Sequence, residues 1–561
     1  MTNYRITLAI PALLLALFLL YPLAWILAGP SMDGGRLDLG FLVDLFSSRR
    51  NLRALQNSLI AAFGATVLSV AIGVPLALLF VRTAMPLRRT WRALITASFV
   101  TPSFLLGFAY ITLLGPNNGL INRALRALFG FESGPLDIYS ISGLVFLATL
   151  ESVPLVMIAT MSALATMDGN LEHAARMLGA RPGSVLMRVT LPIIRPAIGA
   201  GALLAFISTL SLYGAPAILG VRVIPTEIRA ALGSTDDSSV LAGLSCWLMA
   251  ISLLAFFVYQ YLMKRQASFV TVTGNWVGAE PLALGRWGWA ASLLCGLYAA
   301  IALLVPYAVL AYASVSHAFG VAPSLANLTL SHYTFLASDT LSRNAIWNSA
   351  LLATGAALLA TALALAIALL DVRHGQRRAV KSLQYLAMLP FGLPSIVLGA
   401  GLVLAFTRPP LVLYGTLWIL LAAYVVKFMP LAVRACSAGL RQIDPALDEA
   451  AAILGASQRT RLLRITVPLV RGSLYASGFL VFVPSFRELG ASILLSGAGT
   501  ETIAVAMMQS WGSVAFETVC AMGILALVVS YLVSRMVAMQ HVSPVMASPD
   551  AASPALPGVR P

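Results

Sequence analysis

Residues 444–474, DPALDEAAAILGASQRTRLLRITVPLVRGSL, lie over residues 168–198, DGNLEHAARMLGARPGSVLMRVTLPIIRPAI, at a constant offset of 276, with 12 identities in 31 positions and no gap. A polar stretch repeated at such a distance marks a duplicated architecture. The register extends outward from it. Pro154 matches Pro430, Phe206 matches Phe482 and Gly214 matches Gly490 at the same offset. Upstream, Asn57-Ser58 pairs with Asn348-Ser349 at 291 and Pro102-Ser103 with Pro394-Ser395 at 292. A longer connection in the first copy, between Gly115 and Ser142, absorbs the difference.

The surroundings of the repeated stretch define the fold class. The chain is 59% apolar and 10% charged, with a mean hydropathy of +0.89, outside the range of a soluble domain. Apolar runs recur, each long enough to cross about 30 Å of hydrocarbon as a helix. We place spans near 7–28, 58–81, 94–115, 142–164, 197–220, 240–263, 289–314, 346–370, 383–406, 412–436, 472–495 and 514–538. The expectation is an all-α polytopic membrane protein of about twelve transmembrane helices. Six spans per copy, an even number, orient both copies alike and make them two parallel repeats. The halves are 1–265 and 289–540, joined by a polar linker, 266–288, and followed by a Pro/Ala/Ser-rich tail, 541–561, expected to be disordered.

The net charge of +15 does not point to nucleic acid, because Lys and Arg fall in the short connections between apolar runs. They are in excess on the side of the repeated loops, which places those loops and both termini in the cytoplasm. Arg49, Arg50 and Arg53 fall on the opposite side. Cys246, Cys295, Cys436 and Cys520 lie in or beside apolar runs and read as packing residues.

Within the second loop, Asp444 can cap a helix that begins at Pro445, and Gly455 follows Leu454 where a left-handed stop is needed. Leu447, Ala450, Ala451 and Leu454 then share one face, and Leu171, Ala174, Ala175 and Leu178 repeat it. The alanines let another surface approach closely. After each glycine a second helical stretch, studded with arginine (Arg188, Arg195, Arg459, Arg461, Arg464, Arg471), is expected to end near Pro192 or Pro468. A helix–glycine–helix repeated once per half is suited to docking into a groove on a partner.

These residues resemble a known family. Glu449-Ala450-Ala451, Gly455 and Pro468 look like the "EAA" loop of binding-protein-dependent ABC importer permeases, a type I permease fold. In the first copy Ala174, Ala175, Gly179 and Pro192 match, whereas His173 stands where the family usually has Glu, with Glu172 one residue earlier. The double-length form resembles the ferric-iron importers, with thiamine, phosphonate and polyamine relatives nearby. Asn57-Ser58, Tyr213-Gly214-Ala215-Pro216 and Arg487-Glu488-Leu489-Gly490-Ala491 have the look of that subgroup. The resemblance implies a multi-pass protein of the cell inner membrane, working with two copies of an ABC ATPase subunit and a periplasmic solute-binding protein. ATP and Mg would sit on the ATPase, and no cofactor on this chain.

Ionisable residues deep in apolar runs are costly unless they face protein, water or an opposite charge. Glu151 and Lys427 occupy the same repeat position, three residues before Pro154 and Pro430, and are expected to pair across or flank a central pathway. Arg487 and Glu488, toward the outer end of the eleventh span, are candidates for an external gate, for contact with a substrate-delivering protein, or for stabilising the bundle. The histidines are scattered without metal-site spacing. No nucleophile–base constellation of an enzyme can be assembled. The three lysines, Lys264, Lys381 and Lys427, are not preceded by glycine, so no Gly-Lys-Ser/Thr phosphate loop exists. An ion-coupled secondary transporter shares twelve spans and a two-fold repeat, yet gives the duplicated loop no purpose.

Overall fold

The structure, a computed structural model, describes residues 2–28, 40, 45–233, 238–267, 281–319, 324–511, 513, 514 and 516–540. The expected tail, 541–561, and most of the expected linker, 268–280, lie outside the described residues. Among the described residues the protein is all-α, and ten helices are long and apolar enough to cross a membrane. In the first half these are α1 (Thr7–Ala28), α2 (Arg49–Arg82), α5 (Ile141–Thr166), α7 (Pro182–Leu210) and α10 (Ser239–Met263). In the second they are α11 (Trp287–Ser314), α12 (Thr340–His374), α15 (Leu417–Leu440), α17 (Gln458–Phe486) and α20 (Phe516–Val533).

The spans expected over 94–115 and 383–406 are not single helices. The first divides into α3 (Arg88–Ala97) and α4 (Ser103–Leu114). The second divides into α13 (Arg378–Gly392) and α14 (Ser395–Phe406), which meet at 109°. Both divisions fall at the matched prolines Pro102 and Pro394, and the residue before a proline avoids helical geometry. The spans expected over 197–220 and 472–495 also stop early, at Leu210 and Phe486. Each is followed by two short helices: α8 (Gly214–Ile218) and α9 (Ile224–Ala231), or α18 (Ser492–Leu495) and α19 (Ile503–Ser510).

The duplication reaches fine detail. A five-residue π-helical turn lies at Leu186–Thr190 and again, 276 residues on, at Leu462–Thr466. Ser58 Oγ accepts from Ile224 N at 2.8 Å, and Ser349 Oγ accepts from Ile503 N at 2.8 Å. The serine of each pair therefore satisfies an open backbone donor at the start of a short helix, while Asn57 and Asn348 donate to carbonyls just before it, Arg222 and Gly499 with Glu501.

Helix order in space departs from order in sequence. α1 packs on α12 and α14 of the second half, with Phe18 stacked 5.6 Å from Phe406. Conversely, α11 packs on α3 and α4 of the first. There Trp91 Nε1 donates to Ser292 Oγ at 2.8 Å and Tyr110 OH to the Ile301 carbonyl at 2.6 Å. The main apolar core accordingly contains residues of both halves, among them Leu15, Phe104, Phe406 and Leu489.

Candidate functional site

Both loops fold as helix, left-handed glycine, helix. α6 (Asn170–Met177) ends before Gly179 at φ +84°, and α16 (Pro445–Ile453) before Gly455 at φ +79°. Asp444 Oδ1 accepts from Ala446 N at 2.9 Å, which caps α16. A side chain at either glycine would be strained by its φ value alone. Just before each glycine, Leu178 and Leu454 are 88% and 86% exposed, with Met177 and Ile453 beside them equally bare. Apolar side chains held this far into solvent on ordered helices mark an interaction surface.

The same helices are fastened from behind by ion pairs. Glu172, buried, lies 3.2 Å from Arg82 Nε at the end of α2 and accepts from Thr190 Oγ1 at 2.8 Å. Asp448, 276 residues on, lies 3.3 Å from Arg373 near the end of α12 and 3.0 Å from Arg461. Arg82 and Arg373 are themselves matched at the 291 offset. Glu172 is thus the counterpart of Asp448, not a displaced motif glutamate, and His173, half-buried, is the counterpart of exposed Glu449. Arg82 and Arg373 carry no motif that singles them out in the sequence. Their matched positions opposite matched acids were the available signal.

The exposure of the remaining motif residues follows the same division. Ala174 and Ala450 are exposed, whereas Ala175 is half-buried and Ala451 buried against the bundle. Pro192 and Pro468 fall just after the π-helical turns, at the start of the α-helical runs Leu191–Leu210 and Val467–Phe486.

The deep charges gather at the helix breaks. Lys427, near the middle of α15, donates through Nζ to the carbonyl of Leu393 and, at 3.3 Å, to that of Pro390. These carbonyls lie at the α13–α14 break, where the regular run of intrahelical donors ends; that of Pro390 also accepts from Leu393 N at 3.3 Å. Glu488 follows the end of α17. It accepts from Ala491 N at 2.9 Å, Ser492 N at 3.0 Å and Ser492 Oγ at 2.6 Å, capping α18. A cation on carbonyls at a helix break and an anion on open N–H groups at a helix start are what broken spans need in a medium without water. Lys427 and Glu488 also act on each other electrostatically.

Glu151 does not pair with Lys427. It lies within electrostatic reach of Arg487 of the other half and of Ser103 at the start of α4, and its Oε2 is buried without a hydrogen-bond partner among the described residues. Arg487 stands 5.6 Å over the ring of Phe99 and interacts with Tyr307. Two-fold symmetry sets equal depth, not proximity, and the inserted charges of 487–488 redistribute the partners. Arg487 and Glu488 likewise lie in the break after α17, not within a span. There the halves touch: a Cβ at Gly214 would come within 2.8 Å of Leu489 Cδ2 and of Phe104 Cβ. Glu151, Lys427 and Arg487 keep some accessible surface although protein surrounds them. Among the described residues no group of three or more His, Cys, Asp or Glu is placed to hold a metal ion.

Broken spans with charges at their breaks, in a duplicated bundle with two equivalent exposed loops, define a membrane permease. The chain belongs to the family of binding-protein-dependent transport system inner membrane components, which matches residues 69–268 and 360–543. This is a family of multi-pass transport components, not of enzymes. A Haemophilus influenzae protein named as a ferric transport system permease is 29% identical over 87% of this chain and 77% of its own length. The molybdenum transport system permease protein ModB of Mycobacterium bovis is 33% identical over 37% of this chain and 79% of its own length. A chain of a bacterial ABC transporter involved in the import of the acidic polysaccharide alginate is similar over 46% of this chain and 97% of its own, at 16% identity and a TM-score of 0.34.

Proposed function

We propose that this chain is the membrane subunit of an ATP-driven importer of the inner membrane, in which α6 and α16 each dock on one of two copies of a separate ATPase subunit. The observation that carries this reading is the pair of bare apolar tips, Leu178 and Leu454, on loops tied through Arg82 and Arg373 to the ends of long membrane helices. Motion of a partner against such a tip is passed directly to α2 or α12. A periplasmic solute-binding protein delivers solute to the opposite face, and both termini of the chain are cytoplasmic. Glu151 on α5, Lys427 on α15, and Arg487 and Glu488 in the break after α17 flank the pathway. Ferric iron is the favoured solute, supported by the long ferric-permease relative. Thiamine, phosphonate and polyamine are the other candidates. ATP and Mg belong to the ATPase.

The test is uptake of radiolabelled iron into proteoliposomes holding the chain, its ATPase and its binding protein. Uptake should require ATP and fail when both leucines are replaced by Asp. Uptake that persists without ATP and collapses with the proton gradient would instead establish an ion-coupled secondary transporter.

A further inference from the structure

A cavity of about 580 Å³ opens among α12, α13 and α15 of the second half, with Gln260 of the α10 region on its far wall. Three cations, Lys381, Arg434 and Arg441, line it against one carboxylate, Asp371, which lies 3.0 Å from Arg441. Two of these cations continue a row. Lys427, Arg434 and Arg441 recur every seven residues along α15, about 10 Å apart on one helical face, and run from the α13–α14 break toward the loops. Arg434 stacks 4.9 Å over Phe391 and donates through Nη1 to Tyr259 OH at 3.4 Å, contacts that fix the guanidinium plane and leave its other N–H groups for a ligand.

The setting of the cavity is that of a membrane–water boundary. α13 turns away from α14 by 109°, buries Val380, Leu383 and Ala387, and leaves Tyr385 on the cavity rim 66% exposed. An amphipathic helix lying across the span direction with an outward tyrosine is suited to headgroup depth. Flanking Gln260, Phe257 and Tyr261 present exposed rings. General inward positive charge does not explain the site. The first half, equally part of the repeat, has Ile158, Met161 and Ala165 where the second has Arg434, Ser437 and Arg441.

We infer that this cavity binds a phosphate-type oxyanion, supplied by the headgroup of an acidic phospholipid or by free phosphate, gripped by Lys381, Arg434 and Arg441. Basic pockets between membrane helices at this depth recognise such groups, and the volume suits a headgroup. The inference does not depend on which solute is carried.

The experiment uses the full chain in nanodiscs of phosphatidylcholine alone or mixed with phosphatidylglycerol, with retained lipid counted by native mass spectrometry and thermal unfolding followed with and without inorganic phosphate. Phosphatidylglycerol retained by the wild type, and held about tenfold more weakly by Lys381→Gln/Arg434→Gln, identifies the headgroup as the ligand. Stabilisation of the wild type by inorganic phosphate, lost in that variant and without lipid retention, identifies the free anion. Arg434→Gln alone serves if the double variant fails to fold, and Arg88→Gln/Arg89→Gln in the first half should leave both readouts unchanged. Equal lipid retention and equal phosphate response in wild type and cavity variants overturn the site.

Discussion

The loops of the two halves present the same apolar tip to the outside and are held differently from within. Glu172 is buried against one arginine and a threonine, with side-chain exposures of 14% for Arg82 and 5% for Glu172. Asp448 is one-third exposed and shared between Arg373 and Arg461. Duplication has kept the exposed apolar tip while the fastening beneath it diverged. Both latches are acid–arginine contacts, one buried and one half-open.

The largest expected effect tests the shared surface. Leu178→Asp and Leu454→Asp should each reduce ATP-dependent uptake at least tenfold, with the chain still inserted and folded; loss from one replacement alone would break the equivalence of the two tips. Next comes the unequal fastening. Glu172→Ala strands the largely buried Arg82 and should cost about 3–5 kcal/mol, whereas Asp448→Ala, in a half-open site, should cost about 1 kcal/mol. Thermal unfolding of the two variants in one detergent measures the difference, and a reversed order would refute the assignment of buried and open latches.

The breaks offer a third comparison. Glu151→Arg/Arg487→Glu should recover uptake that either single change removes, while Glu151→Lys/Lys427→Glu should not. Recovery by the second exchange would restore the pairing expected from symmetry alone. The smallest effect lies at the caps of α2 and α12, where Ser48 and Asp339 are equivalent. Hydrogen bonds from the Ser342 hydroxyl and amide hold the Asp339 carboxyl below its ordinary value. Because the folded-state value is lowered, its contribution is present above the ordinary carboxylate range and lost as pH falls through the lowered value. Asp339→Ala should cost about 1 kcal/mol at neutral pH and little in acid, whereas Ser48→Ala should show no such pH dependence.

Much of this comparison was legible in the sequence where the physics is local. The cap at Asp444, the stop at Gly455 and the two-fold repeat follow from neighbouring residues and offset alone. Apolar length found the spans but could not see direction, so 94–115 and 383–406 read as straight helices although Pro102 and Pro394 carried the signal for a break. The partners of Glu151 and Lys427 were beyond reach for a different reason. Charge pairing depends on how separate helices meet, and Arg487 has no charged counterpart in the first half, where Ser211 stands.

The exchange of first helices, α1 onto the second half and α11 onto the first, means that peptide continuity is not what joins them. A protease cut between 268 and 280 should yield two fragments that travel together through purification. Expressed as two genes, each product would lack a wall that the other supplies, and neither would be expected to persist in the bilayer alone.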